Sequence, residues 1–300
     1  MTSPTHLPIC VPTVAESLDR DGLAILRNVL TSDSREAFRK AAERLLASGT
    51  TTGRDRGADG KDGFRGIVAL DTAFLPLVAE PTVLAAVATL LGPNLHLLSS
   101  HLIALPSIPC GGRRTIRTPD RPGWHRDMYG VSRDLGPPAT PRLAIKAAYY
   151  LTTPAPDAGI TMFVPGSHRR TDEVTVPAGC IDPPDAFTPD IGPGDAVLFE
   201  NRTWHAGGIN TSGSPRLAVM MQYGYRWLAP VDDPAPGLLD RNNLTDVERQ
   251  LLGAADRSPD GSVVKGSGAR PLTAWLEHRE AAGFVAQDAD PTKLRREAPT

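Results

Sequence analysis

GPGDAVLFENRTWHAGGINTSGSPRLAVMMQYGYRW occupies residues 192–227. It holds two apolar runs, DAVLFE (195–200) and RLAVMMQYGYRW (216–227), each entered through a turn signal: GPG before the first, NTSGSP before the second. Glycine, proline and asparagine at such places supply the backbone shapes that end one strand and begin the next. His205 lies between the runs at the end of a strand–turn unit. Arg216 opens the second run eleven residues later. A guanidinium in an apolar strand is costly to bury unless an anion meets it.

Upstream runs share this texture. LAILRNVL (23–30), LHLLSSHLIAL (95–105), RLAIKAAYYLTT (142–153) and ITMFV (160–164) are strand candidates. Several short strands parted by turns predict a sandwich or barrel. Helices flank them. Asp33 with Glu36 forms a capping-box pattern ahead of apolar residues at helical spacing, and Thr245 with Glu248 forms another before VERQLL. Pro81–Leu91 reads as a helix with proline in its first turn and Gly92 as its stop. PLTAWLEHREAAG reads as a last helix. The expectation is a single domain over residues 1–300, mainly β with flanking helices: a helical N-terminal part over about 10–92, a β core over about 93–228 and a helical C-terminal extension over about 229–300. The polar, glycine-rich GTTTGRDRGADGKDG (49–63) reads as a mobile loop suited to a lid.

Bulk composition narrows the function. A formal charge of −2 provides no broad positive field for nucleic acid or anionic lipid, so the expected partner is a small molecule. Three widely spaced cysteines argue against a disulfide framework. No apolar run approaches ~18 residues, and MTSPTHLPIC lacks the parts of a signal peptide, which predicts a cytoplasmic protein without a membrane span.

RPGWHRDMYG (121–130) places His125 and Asp127 two residues apart. In extended chain, i and i+2 share a face, so an imidazole and a carboxylate there suit one cation. His205 supplies a third ligand. Two histidines and one carboxylate form the facial triad of non-heme iron(II) enzymes, although zinc and manganese accept the same set. A zinc hydrolase or isomerase, or a non-catalytic ligand-binding barrel, therefore stays open at this point.

DRDGLAILRNVL, GWHRDMYG, AAYYLTTPAPDAGITMFVPGSHR, GDAVLFENRTWHAGGINTSGSPR and YGYRWLAP, spread over most of residues 15–230, resemble the phytanoyl-CoA dioxygenase branch of the Fe(II)/2-oxoglutarate oxygenases. The resemblance implies a double-stranded β-helix (jelly-roll, cupin-like) core. It implies that His125, Asp127 and His205 bind Fe(II) as catalytic metal ligands and that Arg216 binds 2-oxoglutarate. With O2 as oxidant, it implies hydroxylation or another oxidation of a substrate C–H bond, with release of succinate and CO2. Some relatives carry a hydroxyl residue two positions after the distal histidine, where this chain has Gly207. Tyr149 and Thr161 are then the expected further cosubstrate contacts. Related halogenases lack the metal carboxylate, and Asp127 favours oxygen insertion. The expected substrate is a natural-product intermediate, and Met128, Tyr129, Lys146 and Arg117 are its expected contacts. The basic run Arg113, Arg114, Arg117 and Arg121 reads as a solvated loop or an anion clamp. PGSH (165–168), His101, Asp195 and Asn210 read as structural.

Overall fold

The computed structural model describes residues 11–57, 60–109, 117–136, 140–232, 237–241, 243–257, 262–264 and 270–281. Helices α1 (Val11–Asp21), α2 (Ser32–Ala47), α3 (Ile67–Leu70) and α4 (Pro81–Leu91) alternate with strands β1 (Leu23–Leu26) and β2 (Asp62–Arg65). β3 (Leu95–Leu105), α5 (Tyr129–Leu135), β4 (Ala144–Tyr150), β5 (Thr161–Phe163), β6 (Ala196–Glu200), β7 (His205–Gly207) and β8 (Arg216–Tyr225) follow. The chain continues through α6 (Asp246–Leu251), the short pair β9 (Asp256–Arg257) and β10 (Val263–Val264), and α7 (Arg270–Ala281).

Six strands form one antiparallel sheet in the order β1-β6-β4-β8-β3-β2. β5 and β7 form a second, two-stranded sheet. Period-two alternation divides the large sheet into two faces. The outer face carries Ala24, Leu26, Ile145, Ala147, Tyr149, Ala196, Leu198, Leu217, Val219, Met221 and Tyr223. It packs against Val14 and Leu18 of α1, Phe38 and Ala42 of α2, and Val83, Leu84 and Val87 of α4. The inner face carries Leu23, Ile25, Ala148, Tyr150, Val197, Phe199, Ala218 and Met220, and it packs against Ile160 and Phe163 of the small sheet. Two sheets facing each other around a shared interior, with helices outside, make a jelly-roll core; among the described residues they do not close into a continuous barrel.

Local chemistry fixes most element ends as the sequence predicts. Pro81 sits in the first turn of α4, and the Glu80 carboxylate accepts the Val83 N–H (2.8 Å). Thr245 and Glu248 make the reciprocal capping box of α6. α2 differs: its cap is Thr31, whose hydroxyl accepts the Ser34 N–H (3.2 Å), with Asp33 lying inside the first turn. LAILRNVL forms a strand only to Leu26, and Asn28 then turns the chain with φ 53°. Both described ends of the glycine-rich 49–63 segment are tied down. Residues 62–65 form the edge strand β2, and the Arg54 guanidinium binds Asp62 (2.5 Å) and the Ser48 carbonyl (3.3 Å).

Candidate metal centre and active site

His125 and His205 face each other across an antiparallel bridge. The His125 N–H donates to the His205 carbonyl (3.0 Å), and the His205 N–H donates to the His125 carbonyl (2.9 Å). Opposed residues point the same way, so the two rings lie with centroids 4.3 Å apart. Asp127, two residues beyond His125, shares that face. Arg126 between them points away and donates to the carbonyls of Ser167 (3.2 Å) and Arg170 (2.9 Å), with its guanidinium 5.1 Å from the Trp204 ring. One ligand atom from each of His125, Asp127 and His205 lies within 4.8 Å of the other two. His125 is exposed, Asp127 partly buried and His205 buried, so the trio sits at the mouth of the interior.

The three side chains fit a resident metal. Nδ1 of His205 faces the Thr203 carbonyl (2.9 Å), and Nδ1 of His125 faces the Gly123 carbonyl (3.0 Å). A ring N–H donated to each carbonyl leaves both Nε2 lone pairs for a cation, the usual orienting device of metal-binding histidines. Burial, followed by the nearby His125, lowers the His205 pKa to about 3, so its ring is neutral near pH 7. Burial opposes the charge of Asp127, but Lys146 and His205 outweigh it and hold the carboxyl at about 2. Lys146 Nζ stands 2.6 Å from Asp127 Oδ2, while Oδ1 is 3.8 Å from His205 Nε2.

Arg216 enters the same interior at the start of β8. It is buried, and its Nε and Nη1 have no hydrogen-bond partner among the described residues. Burial lowers its pKa, yet a guanidinium keeps its proton in proteins. Its central carbon lies 5.7 Å from the centre of the Tyr150 ring. The Tyr150 hydroxyl donates to Thr161 Oγ1 (3.0 Å) and accepts the Thr161 N–H (3.1 Å). A desolvated cation with unused donors is a receptor for an anion, and a carboxylate matches its planar fork.

The family model for phytanoyl-CoA dioxygenase (PhyH) matches residues 18–218. The chain belongs to the phytanoyl-CoA dioxygenase family. Iron and 2-oxoglutarate are the cofactors of this family. An uncharacterized protein of Mycobacterium tuberculosis is 28% identical over 252 residues, covering 80% of this chain and 85% of its own. The ectoine dioxygenase of Nocardia farcinica is 25% identical over 251 residues, covering 73% and 80%. Among solved structures, the epimerase SnoN in complex with Fe3+, alpha ketoglutarate and nogalamycin RO has a TM-score of 0.58 at 21% identity, covering 86% of this chain and 96% of that one. The carbocyclase SnoK from nogalamycin biosynthesis has a TM-score of 0.55 at 22% identity, covering 73% and 87%. These two likenesses establish the fold.

Within this phytanoyl-CoA dioxygenase family member, several sequence expectations shift. Tyr149 does not face the interior. It lies in the outer cluster, and its hydroxyl has no hydrogen-bond partner among the described residues. Its neighbour Tyr150 takes the inner position, because adjacent strand residues point to opposite faces. Thr161 is buried, and its hydroxyl and N–H both meet the Tyr150 hydroxyl. Arg117 is not free for a substrate. Its guanidinium binds the carbonyls of Pro122 (2.7 Å) and Ile181 (2.7 Å) and the Asp182 carboxylate, and lies 5.5 Å from the Trp124 ring. It thereby anchors the segment leading to His125. Lys146 meets Asp127. Met128 has φ 54° and caps α5, and Tyr129 is 58% exposed beside it. Arg113 and Arg114 lie outside the described residues.

The residues read as structural are placed as such. Asp195 binds Arg27 (2.5 Å) and the N–H groups of Asn28 and Gly192. Asn210 is buried and donates to the carbonyls of Leu105 and Ser214. In PGSH, Ser167 Oγ accepts the Trp204 N–H (2.9 Å) and so braces the segment before His205. Gly22 has φ 78°, and a Cβ there would fall 2.3 Å from Thr203 Oγ1, so this close pass beside the His205 segment requires glycine. Gly207, on the same strand face as His205, leaves space: a Cβ there would meet nothing within 4 Å.

Proposed function

We propose that this protein is an Fe(II)/2-oxoglutarate-dependent oxygenase that hydroxylates a C–H bond of a small natural-product molecule. The observation that carries the reading is the pairing of a two-histidine, one-carboxylate trio with a buried guanidinium whose Nε and Nη1 have no partner among the described residues. A zinc hydrolase would use the trio but would gain nothing from Arg216. His125 and His205 hold iron through Nε2, and Asp127 through a carboxylate oxygen. Bound iron and 2-oxoglutarate would supply the electrons that activate O2, the oxidant, with 2-oxoglutarate oxidised to succinate and CO2. Arg216 grips the far carboxylate of the cosubstrate, and Tyr150 and Thr161 line its path. Along β4, Lys146 beside Asp127 and Tyr150 beside Arg216 lie on the same inner face, which puts the trio and the guanidinium in one interior.

Met128 and Tyr129, following Asp127 at the exposed side of the trio, form one wall of the substrate entrance. The space over Gly207 enlarges the interior beside His205. The small-molecule assignment is supported by the names of relatives, which include an ectoine dioxygenase and enzymes of nogalamycin biosynthesis.

The test is anaerobic reconstitution with Fe(II) and 2-oxoglutarate, then admission of O2. Iron-dependent succinate formation is expected even without substrate, at a low uncoupled rate. Addition of the correct natural-product substrate should accelerate it and yield a product one oxygen heavier. Absence of 2-oxoglutarate binding to the iron-loaded protein would sink the proposal. A product of unchanged mass but altered stereochemistry, or one lighter by two hydrogens with an added ring, would keep the oxidative class and replace hydroxylation with epimerisation or cyclisation.

A further inference from the structure

Lys146 lies on the inner face of β4, in register with Phe199 of β6 and Gln222 of β8. Its ammonium is 5.7 Å from the centre of the Phe199 ring, and that ring packs on His205 at 4.8 Å between centroids. The lysine stem is therefore braced by the same aromatic group that supports a metal histidine. Among the described residues, the carboxylate within 4 Å of Nζ is Asp127, met through Oδ2 at 2.6 Å. The other oxygen, Oδ1, is the one that approaches His205 Nε2. The two carboxylate oxygens thus have separate duties: one faces the imidazole and the other faces the ammonium.

We infer that Lys146 is a positioning residue that holds Oδ2 of Asp127, so that the carboxylate meets the cation through Oδ1 alone, and that its charge favours an anionic chelator over a bare cation. The inference deepens the oxygenase reading and rests on it. Partners beyond the direct ligands commonly orient metal carboxylates, and losing one usually costs 10–100-fold in metal affinity; here the lost repulsion between ammonium and cation offsets that cost. An ammonium in this position has a further effect that a backbone N–H lacks. It repels a divalent cation one carboxylate away and attracts a dianionic acid bound to that cation, with opposite signs for the two ligands. It also occupies the oxygen that a bidentate carboxylate would use, which keeps a coordination position open.

The experiment compares wild type with Lys146→Met and Lys146→Gln, each first shown by thermal melting to be folded. Fe(II) affinity is measured anaerobically without cosubstrate. 2-Oxoglutarate affinity is then measured at saturating Fe(II) by the visible absorption of the chelate. In both variants Fe(II) affinity should stay level or rise by up to about tenfold, while 2-oxoglutarate affinity should fall about tenfold. A parallel fall in both affinities marks a merely structural lysine and overturns the inference. So does 2-oxoglutarate affinity within twofold of wild type in Lys146→Gln, since glutamine keeps a donor and loses the charge. Should wild type bind Fe(II) but not 2-oxoglutarate, the oxygenase reading fails separately. The metal measurement then decides alone: a loss of Fe(II) affinity in Lys146→Met overturns the role given to Lys146.

Discussion

Tyr149 and Tyr150 are neighbours in sequence and alike in chemistry, yet they serve opposite sides of one sheet. Tyr149 joins the apolar cluster beneath the helices, while Tyr150 joins the interior that holds Arg216 and the metal trio. The same division runs along every central strand. On β8, Leu217, Val219 and Met221 face the helices, while Arg216, Ala218 and Met220 face inward. The outer face is filled by aliphatic and aromatic side chains packed against the helices. The inner face tolerates a buried cation with unused donors. One face supplies folding free energy, and the other uses part of it to keep polar groups desolvated and ready for a ligand.

The sharpest way to break this comparison is to disturb each face alone. Leu198, fully buried on the outer face, should cost about 2–5 kcal/mol of stability as Leu198→Ala, while metal affinity of the folded fraction stays unchanged. Urea denaturation and metal titration of the same sample check both halves. Arg216→Met should do the reverse. 2-Oxoglutarate affinity should fall about 100-fold, roughly 2.7 kcal/mol, with Fe(II) affinity held and stability unchanged or raised, because an unpaired buried charge is removed. Equal losses from both variants in both assays would mean that the faces are not separable.

A pH measurement sharpens the contrast at the sheet edge. His101 faces inward on β3 with Asp55 3.1 Å from its Nε2, and burial, followed by the nearby Arg65 and Lys61, lowers its pKa to about 3. Its unfolded value is about 6.5. Between those limits the unfolded chain binds the extra proton, so stability declines as pH falls from about 6.5 toward about 3. His101→Gln should flatten that slope by up to about 1.4 kcal/mol per pH unit, as read by denaturation of the metal-free protein. The smallest effect returns to the tyrosine pair. Tyr150→Phe removes the hydrogen bonds to Thr161 and should cost about 1 kcal/mol. Tyr149→Phe should be neutral or slightly stabilising by thermal melt, since its hydroxyl is buried without a partner among the described residues.

The sequence makes the strands legible because their apolar runs are long and their turns carry glycine and proline. β2 escapes because DGFR offers two apolar-facing positions in a charged, glycine-rich run; pairing with β3 and the Arg54–Asp62 ion pair create it. The His125–Asp127 pair is suggested by its spacing and His205 by its place at the end of a strand–turn unit, and the resemblance ties the three together. Which tyrosine faces the interior is not legible, because a one-residue slip of register exchanges the faces and both candidates are tyrosine. Arg117 misleads for a different reason. Its neighbours in sequence are basic and polar, whereas the Ile181 carbonyl and Asp182 that occupy it lie more than sixty residues away. Lys146 likewise shows its partner only when the HxD segment folds against β4.

The peptide bridge between His125 and His205 has a practical consequence. Here the two imidazole-bearing segments are clasped main chain to main chain, so chelation should empty the pocket without scattering its walls. Protein purified metal-free should therefore reload in a simple mixing step, with no slow refolding phase, and competing divalent ions should exchange at rates set by their own ligand chemistry.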